Sequence, residues 1–274
     1  MQKQFFKSAV FLAAMLCLGL LGGCSTVQFK SPEEQPALAA KNSDTDAQEE
    51  SLDLKVKSLE YEDQLVLPSG AVAAVYHAEL PQFEETGSKK VILKKINEYY
   101  EEELKALQQD CESYFNQIRS AYGATWETSA VAVADYRVDF TYRMVESTSD
   151  KISFVRSYVY NDVNMKQKQV FSAETFDCST GWPLKLSEMF GNEVAKVNKT
   201  MEEQIGKWCE ANTVDRKTLE AFDLTSKEYS FALSRDTLYL CLDEKGVSGS
   251  TPGARLVEIP TTAIESLLRV KTSK

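Results

Sequence analysis

LKKINEYYEEELKALQQDCESYFNQI, Leu93 to Ile118, is the stretch on which the fold turns. Its apolar residues Leu93, Ile96, Tyr100, Leu104, Leu107, Cys111, Tyr114 or Phe115, and Ile118 recur at steps of three and four, which lays them along one face of a helix. Ser88 serves as an N-cap and Gly123 as a stop signal, so the spacing predicts a helix over about 89–120. At 1.5 Å per residue such a helix is roughly 45 Å long. Cys111 lies on its apolar stripe, a structural position rather than a reactive one.

Downstream, AVADYRVDFTYRM (Ala132–Met144) alternates apolar and polar side chains almost strictly, the pattern of a long strand with one wet face. Strands are expected at about Lys151–Tyr160 and Gln169–Cys178, joined by the polar turn Asn161–Lys166 and therefore antiparallel. Upstream, Leu52, Leu54 and Val56 alternate with charged residues. Ala71–Leu80 follows the turn Pro68-Ser69-Gly70 and is expected to end at Pro81. A second helix, about 193–210, starts after Asn192 and carries Val194, Val197, Met201, Ile205 and Trp208 on one face. Tyr229–Leu233 and Leu238–Leu242 read as a hairpin across Ser234-Arg235-Asp236, and Leu256–Ile259 as a last strand before Pro260. Thr262 and Glu265 form a capping-box pattern for a short terminal helix. The order of elements predicts an α+β fold in two halves, 52–148 and 149–274, each an antiparallel sheet packed by one main helix.

The first fifty residues have another character. Lys3 and Lys7 precede an uncharged run from Ser8 to Gly23, the layout of a secretory signal. Leu21-Gly22-Gly23-Cys24 is similar to the bacterial lipobox, which implies a signal over 1–23 and acyl chains on Cys24. Stable anchoring takes more than one such chain. From Ser25 to Ser51 large apolar side chains are almost absent, so 24–51 reads as a tether that holds the domain roughly 30 Å from its anchor. The expected location is the extracytoplasmic face of the cell membrane.

The chain carries 31 basic and 41 acidic residues. Loss of Lys3 and Lys7 with the signal would deepen the charge further. A surface this acidic offers no stripe for phosphate backbones, so nucleic acid is not an expected partner, whereas cationic partners are. Four cysteines fall in the folded region: Cys111, Cys178, Cys209 and Cys241. Outside the cytoplasm they can form two disulfides in any of three connectivities, or remain as buried thiols. None stands in a CxxC pair or beside a histidine, so no metal site is expected.

The chain resembles the extracellular region of the RsiV-type lysozyme-sensing anti-sigma factors, whose first half also accompanies PdaC-type deacetylases. The resemblance rests on Leu80-Pro81 and Ile96-Asn97 in the first half. In the second it rests on Phe176-Asp177, Thr180-Gly181, Leu184, Leu186, Met189-Phe190, Phe231–Leu242 and Val257-Glu258-Ile259-Pro260. It implies an extracellular binding domain and a lysozyme-like cationic protein or peptidoglycan as partner. Asn161-Asp162-Val163-Asn164 and Glu244–Thr251 depart from the family pattern at the loops expected to touch a ligand. With a signal expected at its start, no cytoplasmic segment that holds a sigma factor is expected.

No catalytic constellation emerges. His77 is the only histidine and carries no sequence sign of a partner, and 41 acidic residues make chance carboxylate pairs expected. Gly246-Val-Ser-Gly249-Ser-Thr-Pro-Gly253 lacks the Gly-Lys-Ser/Thr ending of a phosphate loop and leads into a strand, so no nucleotide or other cofactor is expected. The residues proposed to face a ligand are Asn161, Asp162, Asn164, Trp182, Gly249 and Arg255. Trp208, on a helix's apolar face, reads as core. The expectation is a non-enzymatic envelope binding protein for wall glycan or a cationic secreted protein; the rival is a hydrolase of peptidoglycan or another glycan.

Overall fold

Val56–Val66 (β1) and Val72–Phe83 (β2) pair as an antiparallel hairpin with a register shift at Leu65/Val66. Leu67 closes the turn twice, its N–H bound to the Ala71 carbonyl and its own carbonyl to the Gly70 N–H. Gly70 sits at φ 89°, a conformation that favours glycine. These details come from a computed structural model that describes residues 54–130, 136–162, 164, 166–191, 193–245 and 255–269. The expected signal and tether, Cys24, Asn192 and the loop holding Gly249 lie outside the described residues.

The long helix, α1 (Lys90–Tyr122), ends at Gly123 as the periodicity predicts. No side chain caps its start at Lys89, so Ser88 does not serve as expected. Tyr136–Ser147 (β3) follows, then Lys151–Asn161 (β4) and Gln167–Asp177 (β5). The five strands form one sheet in the order β1-β2-β3-β4-β5. Two expectations are corrected here. The sheet is not purely antiparallel, because β2 and β3 run parallel from Ala74↔Tyr136 to Ala78↔Phe140. Parallel neighbours need a long crossover, and α1 provides it. The sheet also crosses the expected division at 148/149, since β3 pairs with β4 from Val138↔Tyr160 to Ser147↔Ile152.

Pro81 does not end β2, which continues to Phe83 with Pro81 opposite Ser58. Because β3 covers β2 only at Ala74–Ala78, β2 beyond Ala78 is an open edge on that side, where a missing N–H costs no ladder bond. Asn97 of α1 closes the end of this edge. It accepts from the Phe83 N–H at 2.8 Å and donates to the Phe83 carbonyl at 2.9 Å.

The remaining strands, Phe231–Leu233 (β6), Thr237–Leu242 (β7) and Arg255–Pro260 (β8), make an antiparallel sheet in sequence order. A single turn, α2 (Leu186–Met189), precedes α3 (Val194–Ala211), which packs on this sheet through Val197, Met201, Ile205 and Cys209. The expected terminal helix is two 3-10 turns, Thr261–Ala263 and Glu265–Leu267; Ile264 and Leu267 still seal the core.

β6 stands on the face of the first sheet opposite α1. The hydroxyls of Ser153 and Thr175, 3.0 Å apart on β4 and β5, bind the carbonyl and N–H of Leu233 at 2.8 and 3.0 Å. Ser230 does the same for Ala173, accepting from its N–H and donating to its carbonyl. A small apolar cluster of Val155, Ala173, Ala232 and Cys241 fills the joint. The four described cysteines form no disulfide. They are buried in three separate apolar clusters: Cys111 and Cys178 beside α1, Cys209 beneath α3, and Cys241 in the joint. Burial raises the Cys111 thiol to about 11, so it is protonated and inert at neutral pH.

Candidate functional site

The residues expected to meet a ligand through loops are dispersed. Asp162 is occupied by its own turn, where its Oδ1 accepts from the N–H groups of Asn164 and Lys166 at 2.9 Å each. The Asn161 carbonyl accepts from the Tyr114 hydroxyl. Trp182, 59% exposed, stands beside Asp177 at the other end of β5. A strand of that length puts it roughly 30 Å from Asn161. Gly181 sits at φ 77°, and an added Cβ would lie 3.0 Å from the Lys95 side chain, so this loop is fixed against α1. Arg255 pairs with Glu244 at 2.8 Å.

Four candidate environments remain, two of them buried. Between α1 and the sheet, Arg156 Nη1 lies 2.6 Å from Glu103 Oε1 and its Nε 3.0 Å from Glu174 Oε1, every side chain at most 8% exposed. Tyr100 donates to Glu174 at 2.7 Å. Burial raises the Glu174 carboxyl to about 7, with Arg156 pulling the other way. Further along α1, Asp110 Oδ2 accepts from Tyr158 at 2.8 Å and Tyr76 at 3.1 Å, and burial raises its pKa too. Perturbed carboxylates of this kind mark functional sites when they line a cleft. These are sealed in the core, where substrate cannot reach them.

The third is the open half of the five-stranded sheet. β6 and β7 cover the face opposite α1 near β4, β5 and the far end of β3, where Val145 packs on the joint and Arg143 lies over the Tyr239 ring. On β1–β3 the register aligns Glu62, His77 and Asp139, with Glu60 opposite Glu79 in the next row. His77 lies 3.6 Å from both Glu79 and Asp139. His77, for which the sequence shows no sign of a partner, thus has one carboxylate from its own strand and one from the neighbouring strand. Period-two alternation could place His77 on the wet face but could not name what stands beside it. Arg137 also binds Asp139, at 2.6 Å. Among the described residues no three ligating side chains form a metal cluster.

The fourth is an open groove of about 530 Å³ where β5, the end of α3, β7 and β8 meet. Phe171 and Trp208 supply its aromatic surface, and Leu256 and Pro260 its aliphatic surface. Asn212, Thr237 and Glu258 supply its polar groups. Trp208 is half-buried, packed on the second core on one side and lining the groove on the other, which corrects its reading as core. A helical stripe has margins, and periodicity does not say whether a marginal residue meets core or cleft.

No family model matches the chain, and no curated protein does. Several solved structures share the fold, among them two from the DUF3298 family. A member of the DUF3298 family from Bacteroides fragilis is 12% identical with a TM-score of 0.56, over 80% of this chain and 94% of the other. A DUF3298 family protein from Pseudomonas aeruginosa is 13% identical with a TM-score of 0.52, over 80% and 96%.

Proposed function

We propose that the chain is a non-enzymatic binding domain of the cell envelope, lipid-anchored through Cys24 and recognising a cationic secreted protein such as a lysozyme. The observation that carries this reading is the open acidic face of β1–β3, with Glu60, Glu62 and Glu79 on adjacent strands around His77 and Asp139 paired to Arg137 beside them. A chain with 41 acidic and 31 basic residues draws in a basic protein faster at low salt. The RsiV-type resemblance points to the same partner class. The hydrolase reading is weaker: the accessible groove holds one carboxylate, Glu258, whereas glycoside cleavage generally uses two on either side of the bond.

Titration of a basic lysozyme onto the purified chain at two ionic strengths tests the reading. Binding is expected to weaken with salt, and the triple variant Glu60→Gln/Glu62→Gln/Glu79→Gln to lose most of it. No binding at either salt, or binding indifferent to the variant, refutes the proposal. Labelling with an alkyne palmitate analogue, lost on Cys24→Ala, tests the anchor.

A further inference from the structure

The polar groups that line the groove are unspent. Among the described residues the Trp208 indole N–H, the Thr237 hydroxyl and the Glu258 carboxylate make no hydrogen bond or ion pair within the protein. Asn212 donates its amide N–H to the Trp208 carbonyl at 2.8 Å and leaves its side-chain oxygen open as an acceptor. Neither Phe171 nor Trp208 stacks on another described ring. Residues that bear two aromatic surfaces, one N–H donor, one hydroxyl and two acceptors therefore line one open volume of about 530 Å³.

That inventory selects among ligands. A phosphate-bearing ligand would meet Glu258 with no cation among the lining residues. A strongly cationic ligand would find a single carboxylate. A sugar ring satisfies the whole set: its C–H face packs on an aromatic side chain, and its hydroxyls donate to carboxylate and amide oxygens and accept from N–H and O–H. We infer that the groove is a binding site for an uncharged saccharide of two or three rings, held and not cleaved. The size agrees with small-ligand sites, which run to about 300–1,000 Å³. Phe171 comes from the five-stranded sheet while Trp208, Thr237 and Glu258 belong to the second half, so the site exists only when the halves are docked. It lies apart from the acidic β1–β3 face, so the two readings stand or fall separately.

Calorimetric titration of the full chain in detergent with cellotriose and with N,N′,N″-triacetylchitotriose is the test. At least one is expected to bind one-to-one. Glu258→Ala should weaken it about tenfold, the effect of losing a hydrogen bond to a charged group. Asn212→Ala should weaken it less, and Trp182→Ala should leave it unchanged. Glu258 and Asn212 are exposed, so these variants keep the fold, and Glu258→Ala should bind a basic lysozyme as the parent does. The inference is overturned if neither trisaccharide binds at millimolar concentration, if Glu258→Ala binds as tightly as the parent, or if trilysine takes the site in their place.

Discussion

The core between α1 and the five-stranded sheet holds Arg156, Glu103, Glu174 and Asp110 among its aromatic side chains. The core between α3 and the three-stranded sheet is mainly aliphatic. Its ion cluster, Lys227 at 2.8 Å from both Glu220 and Asp243, sits at the edge, with the Lys227 side chain 32% exposed. The contrast shows where perturbed groups are structural. Arg156 meets one carboxylate from α1 and one from β5, so the long helix can lie on the sheet in only one register without stranding a charge. The second half needs no such device, because its helix is shorter and its sheet is also fixed by Ser153, Thr175 and Ser230.

The sharpest way to break the contrast is Arg156→Met. It leaves two buried carboxylates without a cation and should cost about 3–5 kcal/mol in urea unfolding. A loss under about 1 kcal/mol would show that the buried charges do not hold α1 in place. Ile259→Ala, a fully buried change in the aliphatic core, should cost about 3 kcal/mol through the cavity it leaves. Both halves are expected to melt in one transition, so a biphasic curve for this variant would mean that the sheets fold independently.

A smaller effect is the pH response of the first core. Burial raises Glu174 in the folded state to about 7 from its ordinary 4.5, so the folded chain holds a proton that the unfolded chain has released between those values. Its contribution therefore falls as pH rises from about 4.5 to 7, and Glu174→Gln should flatten the dependence of the urea midpoint across that window. An unchanged slope would remove Glu174 as its source. The mildest change, Ser153→Ala, takes from the joint the hydrogen bond to the Leu233 carbonyl and the one shared with the Thr175 hydroxyl, and should cost about 1–2 kcal/mol. It should loosen β6, seen as faster amide exchange at Ala232 and Leu233 with α1 unaffected.

Both helices and most strands were legible along the chain because their signals are local. Leu93, Ile96, Tyr100, Leu107, Cys111 and Ile118 are all buried, as a 3.6-residue period requires. Tyr136, Val138 and Phe140 turn inward until the register shift after Met144, where that methionine becomes 37% exposed. The proposed ligand residues were less legible. Asp162 and Asn161 looked available because loop polarity does not reveal that a carboxylate or carbonyl is already bound within its own turn or by Tyr114. Phe171 and Glu258 carried no signal, since each is an ordinary strand residue until the other stands across the groove.

Side-chain spacing was enough to fix the α+β class, the two main helices and the inward face of each strand, because these depend on neighbours within a few positions. Which strands pair, and in what direction, was decided in three dimensions: β2 lies parallel to β3 because α1 spans the distance between them. The docking of β6 on the hydroxyls of Ser153 and Thr175, the company of His77 and the groove beside Trp208 were decided there as well. Each brings together residues far apart in sequence. No local pattern encodes such a meeting, since it is set by how whole elements cover one another's apolar faces.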